Sequence, residues 1–218
     1  MSLSTKRIVI VDDHPSTRDG LVTRLDLESD LDVVGDASDV DEAIEVIGEV
    51  RPDLAVIDVS LKSSSGINLV KAVKERYPRV KMLVWSMYDE SLYDERALRA
   101  GAMGYINKQH VTDMIIEAIR TILAGEIFIS KELSSKMLHR VVAGKESVAV
   151  SPVESLSDRE LETFRLTGQG LATREIAKAM RLSPKTIETY RARIKEKLEL
   201  DDMASLTREA TQWVLENG

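Results

Sequence analysis

Five short, apolar, largely β-branched runs recur through the first half of the chain, each followed by a stretch of helical period, and this alternation restricts the fold more than any other feature. The runs are Arg7–Val11, Asp32–Val34, Leu54–Asp58, Lys81–Trp85 and Gly104–Ile106. Nearly continuous apolar runs of this length read as strands covered on both faces. Between and after them lie the helical stretches Thr17–Ser29, Val40–Val50, Ile67–Tyr77, Leu92–Ala100 and Thr112–Ala124; in the second, Ala43, Ile44 and Ile47 share one stripe. Strands separated by helices are joined by crossovers, which makes neighbours parallel. The expectation is a five-stranded, parallel, doubly wound α/β domain over residues 1–124. In such a sheet ligands sit beyond the carboxyl ends of the strands. The polar residues at those ends are Asp12, Asp13, Asp58, Ser86 and Lys108.

After residue 124 the pattern changes. Residues 125–156 hold one short helical candidate, Lys131–Val142, and then a polar, poorly periodic stretch with Pro152, which reads as a linker. No strand signal returns in residues 157–218, where four helices can be marked instead. Ser157 with Glu160 forms a capping-box pattern, Thr173 caps a second helix, and Ser183 followed by Pro184 starts a third. The fourth, about Met203–Leu215, aligns Leu206, Ala210 and Trp213. A short turn between the second and third of these helices is the helix-turn-helix pattern.

Charge supports the division. The chain carries a net charge of −7, yet Arg174–Lys197 holds eight bases against three acids. A solvated helical face explains that surplus on charge alone; on the third helix of a helix-turn-helix it also fits nucleic acid. From Pro184 to Leu198, the residues Ile187, Tyr190, Ile194 and Leu198 recur at spacings of three and four and form the inward stripe. Lys185, Glu188, Thr189, Ala192 and Glu196 then point outward, and Arg191 and Arg193 flank the stripe. Outward residues enter the major groove: Lys185 suits guanine edges, Glu188 cytosine N4, and Thr189 or Ala192 a thymine methyl. Arg191 and Arg193 suit phosphates. Thr173 and Thr186 lie near helix starts, where capping and phosphate contact explain them equally well.

The other cluster is acidic. Asp12 and Asp13 end the first strand and Asp58 the third, so side-by-side strands bring three carboxylates together. A hard divalent cation relieves their repulsion, and Mg²⁺ keeps coordination positions for water or phosphate oxygens. Lys108 and Ser86, each after a different strand, can then meet a phosphoryl group. Strand-end acids and lysines also serve solubility; the specificity lies in their order along four strands that converge on one crevice.

In that order stand the segments IVIVDDHP, AVIDVSLKSSSG, VWSMYDE and RAGAMGYINK, which closely resemble the flavodoxin-like receiver domain of two-component response regulators. The segment LSDRELETFRLTGQGLATREIAKAMRLSPKTIETYRARIKEKLEL resembles the LuxR-type helix-turn-helix. The pairing, which covers nearly the whole chain, resembles the NarL/FixJ family. The resemblance implies that Asp58 accepts a phosphoryl group from a sensor histidine kinase or phosphotransfer protein. It implies Mg²⁺ held by Asp13, Asp58 and the backbone carbonyl of Ser60, with Asp12 acting through water. Lys108 would neutralise charge, Ser86 would move toward the phosphoryl group, and Tyr105 would change its exposure. Partners would be double-stranded DNA and a second copy of the chain, and the only chemistry would be the receiver's own Mg²⁺-dependent phosphorylation and dephosphorylation. Three positions depart from receivers and LuxR-type domains in general: Gln109 where proline often follows the lysine, Met87 where a smaller residue often follows the hydroxyl, and Glu199 in place of glycine.

Several classes are excluded. The chain has no Cys, so a disulfide framework, a thiol nucleophile and Cys-ligated metals are out. Met1–Lys6 lacks the apolar core of a signal peptide and no run suits a membrane span, so a cytoplasmic location is expected. A dehalogenase-like phosphatase needs an acid two residues after its nucleophilic aspartate, where this chain has Ser60. No glycine-rich phosphate loop follows the first strand. His14, His110 and His139 show no metal-ligand spacing and are assigned no chemistry. The rival from another class is a receiver-like protein that acts by protein contacts without phosphate control; phosphorylation-dependent footprinting separates the two.

Overall fold

The computed structural model describes residues 5–61, 65–87, 90–109, 112–131, 133–135, 152–180 and 182–217. It separates into two compact units, Met1–Met137 and Leu138–Gly218. The first unit alternates β1 (Lys6–Val11), α1 (Pro15–Leu25), β2 (Leu31–Ala37), α2 (Val40–Val50), β3 (Leu54–Ile57), α3 (Gly66–Arg76), β4 (Lys81–Ser86), α4 (Glu90–Ala100), β5 (Gly104–Asn107) and α5 (Thr112–Ala124). All strand pairs are parallel, in the order β2-β1-β3-β4-β5. This is the parallel, doubly wound sheet expected from the alternation, in the flavodoxin-like order that the resemblance implies.

The apolar runs became strands because both sheet faces are covered. None of Ile8–Val11 or Leu54–Ile57 is more than 1% exposed. Ile8, Ile10, Leu54 and Val56 pack with Leu21 and Leu25 of α1 and Ile115, Ile119 and Ile122 of α5. The alternate residues face the opposite layer, where α2 and α3 bury Ala43, Ile47, Val70 and Val73.

Several boundaries differ from the sequence reading; α1, for one, ends at Leu25 and not at Ser29. Strand β2 continues through Gly35 and Asp36 to Ala37, with a register shift between Ile8 and Val9. Glycine is a poor strand former, but a Cβ at Gly35 would lie 2.8 Å from Val46 Cγ1, so packing by α2 selects it. Helix α1 starts at Pro15 rather than Thr17, with proline in the first turn. The stretch after α5, read as linker, begins as part of the first unit: Phe128 N–H donates to the Met103 carbonyl at 2.9 Å and Phe128 bridges Gly104. Of the candidate helix Lys131–Val142, residues 132 and 136–142 lie outside the described residues.

The second unit opens with a 3₁₀ turn, Pro152–Ser155, followed by α6 (Asp158–Gly168), α7 (Thr173–Ala179), α8 (Pro184–Lys197) and α9 (Met203–Asn217). Ser157 and Glu160 form the expected capping box, and Ser183 Oγ accepts from Thr186 N–H at 3.1 Å. Helix α7 differs: its N-cap is Ala172, and Glu175 reaches back to the Ala172 N–H at 2.8 Å. Thr173 is therefore a helical residue, not a cap. Leu166, Ile176, Ala177, Met180 and Ile187 form a shared core, while Phe164 meets Trp213 with ring centroids 5.8 Å apart.

At the end of α8, Glu199 takes the left-handed conformation, φ 53, that glycine usually supplies. Leu200 N–H bonds the Lys195 carbonyl at 2.8 Å and Glu199 N–H that of Glu196 at 3.3 Å, closing the helix end. Left-handed geometry costs a side-chain-bearing residue roughly 1–2 kcal/mol, part of which glycine loses again through unfolded-chain entropy. Glu199→Gly should raise stability of the second unit by about 0.5–1 kcal/mol in urea unfolding; a loss of stability would show that Glu199 makes compensating contacts.

Candidate functional site

The sheet order sets the site. Strands β1 and β3 are neighbours, with Val11 beside Ile57, so Asp12 and Asp58 emerge together. The ladder runs one residue past each strand: Asp12 N–H donates to the Ala37 carbonyl at 3.0 Å and Asp58 N–H to that of Val11 at 2.8 Å. Ser86 ends β4, and Lys108, just after β5, donates its backbone N–H to the Ser86 carbonyl at 2.8 Å. Asp12, Asp58 and Ser86 are 1%, 3% and 0% exposed. A cluster so deep must balance its own charge.

Lys108 supplies part of the balance. Its Nζ lies 2.5 Å from Asp12 Oδ2 and 3.0 Å from Asp58 Oδ2. The remaining oxygens are less well served: Asp58 Oδ1 and Asp13 Oδ1 are buried and have no hydrogen-bond partner. His14 Nδ1 is 2.7 Å from Asp13 Oδ1, but the oxygen lies off the direction a ring N–H would donate along. Burial pushes the Asp58 carboxyl above the usual aspartate range; the Lys108 charge opposes this and the Asp12 charge adds to it. Asp12, Asp13, His14 and Asp58 each offer a ligand atom, all within 4.8 Å of one another. Three carboxylates, one ammonium and two orphaned oxygens suit a small hard cation, so the residues present fit Mg²⁺.

The loop after β3 holds Asp58 from behind. Gly66 N–H donates to the Val59 carbonyl at 2.8 Å, Ser60 bridges Ser65, and Ser65 Oγ caps α3 by accepting from Ile67 N–H at 3.2 Å. A Cβ at Gly66 would fall 1.9 Å from the Asp58 carbonyl oxygen, so only glycine lets α3 start this close. Tyr105 is 3% exposed on β5, and Met87 is exposed beside the pocket. Gln109 N–H donates to Asn107 Oδ1 at 2.8 Å, a bond that proline would forbid, and no cis peptide occurs among the described residues.

Sequence reasoning missed His14, Gly66 and Trp85. The ring of Trp85 lies 5.3 Å from Lys108 Nζ. Its signal was alternation: Trp85 and Leu83 face the α5 side of β4, beside Ile106 on β5. His14 had no spacing signal, because its contacts arise from immediate adjacency to the acid pair. His110 and His139 lie outside the described residues.

In the second unit the inward and outward faces of α8 separate as its period requires. Ile187 and Ile194 are buried and Tyr190 and Leu198 half-buried, whereas Lys185, Glu188, Thr189, Ala192, Arg193 and Glu196 are exposed. Arg191 turns inward: it donates to Thr173 Oγ1 at 2.7 Å, Thr167 Oγ1 at 3.3 Å and the Leu171 carbonyl at 3.4 Å. The Thr186 hydroxyl pairs with Ser183 Oγ at 2.8 Å, and Lys197 Nζ bonds Glu160 Oε2 at 2.6 Å. Arg193 and Lys185 are thus the exposed bases of this face at its middle and start.

Known proteins show the same two parts. The family model for the response regulator receiver domain matches residues 8–120, and that for bacterial regulatory proteins of the luxR family matches 154–210. The oxygen regulatory protein NreC of Staphylococcus haemolyticus is 34% identical over 208 residues, covering 94% of this chain and 96% of the relative. NreC of Staphylococcus carnosus is 33% identical over 208 residues, with the same coverage of 94% and 96%. Among solved structures, a LuxR-family two-component response regulator from Aurantimonas sp. SI85-9A1 is 31% identical, with TM-score 0.59, covering 64% of this chain and 99% of that one. RcsB from Salmonella enterica serovar Typhimurium, bound to promoter rprA in the presence of phosphomimetic BeF3-, is 25% identical, with TM-score 0.59, covering 95% of this chain and 99% of that one. A sheet with this acidic crevice, joined in one chain to a helix-turn-helix unit and matched in both parts, places the protein among the NarL/FixJ-family response regulators, a receiver domain followed by a LuxR-type DNA-binding domain.

Proposed function

We propose that Asp58 is the phosphoacceptor of a phosphorylation-controlled transcriptional regulator, with a sensor histidine kinase or phosphotransfer protein as donor. The observation that carries this is the buried, unbonded Asp58 Oδ1, while Asp58 Oδ2 is held 3.0 Å from Lys108 Nζ. An Asp58 oxygen forms the new O–P bond as the donor's N–P bond breaks. Lys108 and Ser86 meet the phosphoryl oxygens, the lysine leaving its place on the carboxylates to oppose their charge. Asp13, Asp58 and the Ser60 carbonyl would hold Mg²⁺ and Asp12 would contribute through water; the ion would supply positive charge against the phosphoryl oxygens. Tyr105 changes its exposure as Ser86 moves. The receiver promotes its own phosphorylation and dephosphorylation and catalyses nothing else.

The exposed face of α8 enters the major groove: Lys185, Glu188, Thr189 and Ala192 lie toward bases, and Arg193, with Arg191 and Thr186 nearer the helix packing, toward phosphates. Two copies bind paired half-sites, which places the protein with the DNA, in the cytoplasm. Among the described residues no helix is long and apolar enough to cross a membrane. RcsB bound to promoter DNA in the presence of a phosphomimetic agrees with this pairing of events.

Footprinting on genomic DNA with and without a small phosphodonor tests the reading. Protection should strengthen with donor and Mg²⁺, and Asp13→Asn should need more Mg²⁺ for the same effect, since one direct ligand oxygen is lost. Equal protection by phosphorylated and unphosphorylated protein would favour action by protein contacts alone.

A further inference from the structure

We propose that Trp85 is a positioning residue for the phosphoryl site: its indole face holds the Lys108 ammonium at the height of Asp58. This rests on the reading of Lys108 as the residue that meets the phosphoryl oxygens. Lys108 ends a long flexible stem, and an ammonium on such a stem has no fixed direction of its own. Its position is set by what surrounds it. Two sides are carboxylates, Asp12 Oδ2 at 2.5 Å and Asp58 Oδ2 at 3.0 Å, and Nζ also lies over Trp85, 5.3 Å from the ring centroid. The side chain of Lys108 is only 6% exposed, so water screens the cation–ring attraction little.

The three contacts differ in what phosphorylation does to them. Transfer to Asp58 turns one carboxylate into an acyl phosphate and moves the negative charge outward onto phosphoryl oxygens. The Asp58 contact must then be exchanged, while the ring of Trp85 carries no charge that transfer alters. It is fixed from behind: Trp85 packs against the cluster of Leu83, Ile106 and Ile115, and pairs in register with Ile106, two residues before Lys108. Just past Lys108 the Gln109 N–H bonds Asn107 Oδ1 at 2.8 Å, at an exposed residue. The indole is therefore the rigid surface over which the ammonium can pass from carboxylate to phosphoryl oxygen without leaving the pocket.

The test uses the full chain with beryllofluoride and Mg²⁺ as the phosphoryl mimic. Trp85→Leu should weaken beryllofluoride affinity about five- to thirtyfold, and Trp85→Phe, which keeps a ring, should return to within about threefold of the parent. In a Lys108→Met background Trp85→Leu should add nothing, because the group it acts through is gone. Circular dichroism and thermal unfolding check that each variant is folded, and the ring-retaining variant keeps the comparison available if Trp85→Leu is not. Fluorine NMR of 5-fluorotryptophan protein, with two tryptophans in the sequence, reads the contact directly: the Trp85 resonance should move in Lys108→Met. An unmoved resonance, or an equal loss from Trp85→Leu with and without Lys108, would overturn the proposal and leave packing as the role of the ring. Unchanged beryllofluoride affinity in Lys108→Met would instead sink the reading of Lys108, and the proposal with it.

Discussion

Asp58→Asn should carry no added phosphoryl mass after incubation with a small phosphodonor and Mg²⁺, under conditions where the parent is labelled and the label is lost in acid or base, as an acyl phosphate is. The loss should be complete rather than partial. Asn has nearly the shape of Asp but no nucleophilic carboxylate oxygen, and the neighbouring acids are badly placed to replace it. Asp12 accepts from the His14 N–H at 2.8 Å with Oδ1 and from Lys108 with Oδ2. Asp13 Oδ1 has no hydrogen-bond partner, but His14 Nδ1 lies 2.7 Å from it, and attack there would cost Asp13 the role proposed for it as a Mg²⁺ ligand. Unfolding will not imitate the result: burial is the largest influence raising the Asp58 carboxyl, so an uncharged amide there removes a desolvation cost while Lys108 keeps Asp12. The variant should unfold at or above the parent's temperature without metal. Full labelling of Asp58→Asn, mapped to Asp13 or another residue, would remove Asp58 from the centre of the mechanism.

That site was legible because each of its parts follows from local pattern. A strand covered on both faces announces itself as an apolar run, and the residue after the run must lie at the carboxyl edge, so Asp12, Asp58, Ser86 and Lys108 could be placed before any contact was known. What stayed hidden depends on partners across the fold. Gly35 looks like the end of a strand until Val46 is seen against it, and Phe128 looks like linker until it is seen bridging Gly104. The helical period placed Arg191 at the margin of the buried stripe but could not say that Thr173 and the Leu171 carbonyl wait there on the adjoining turn and helix. The contact of Trp85 with Lys108 stayed hidden because it joins the ends of two different strands.

Lys185→Ala should lose ~1–3 kcal/mol at the preferred DNA site and much less on scrambled DNA, because a bidentate base contact is worth about that in discrimination. Lys185 is exposed in the first turn of α8, where side chains of a recognition helix reach base edges. Arg193→Ala should behave differently: as an exposed phosphate contact it should weaken both duplexes alike and lower the salt slope by roughly one, since one fewer counterion is released. Arg191→Ala makes the third comparison. Its guanidinium spans Thr173, Thr167 and the Leu171 carbonyl, so removing it should cost the fold roughly 1–3 kcal/mol before it costs any contact to DNA, with part of the loss offset because Nε is buried without a partner. Titrations on specific and scrambled duplexes at several salt concentrations, beside urea unfolding of each variant, separate the three roles. If Lys185→Ala weakened both duplexes equally and left their ratio intact, α8 would have to be rotated about its axis in the groove, and because Ile187 and Ile194 fix its inward side, the whole unit would have to dock at a different angle.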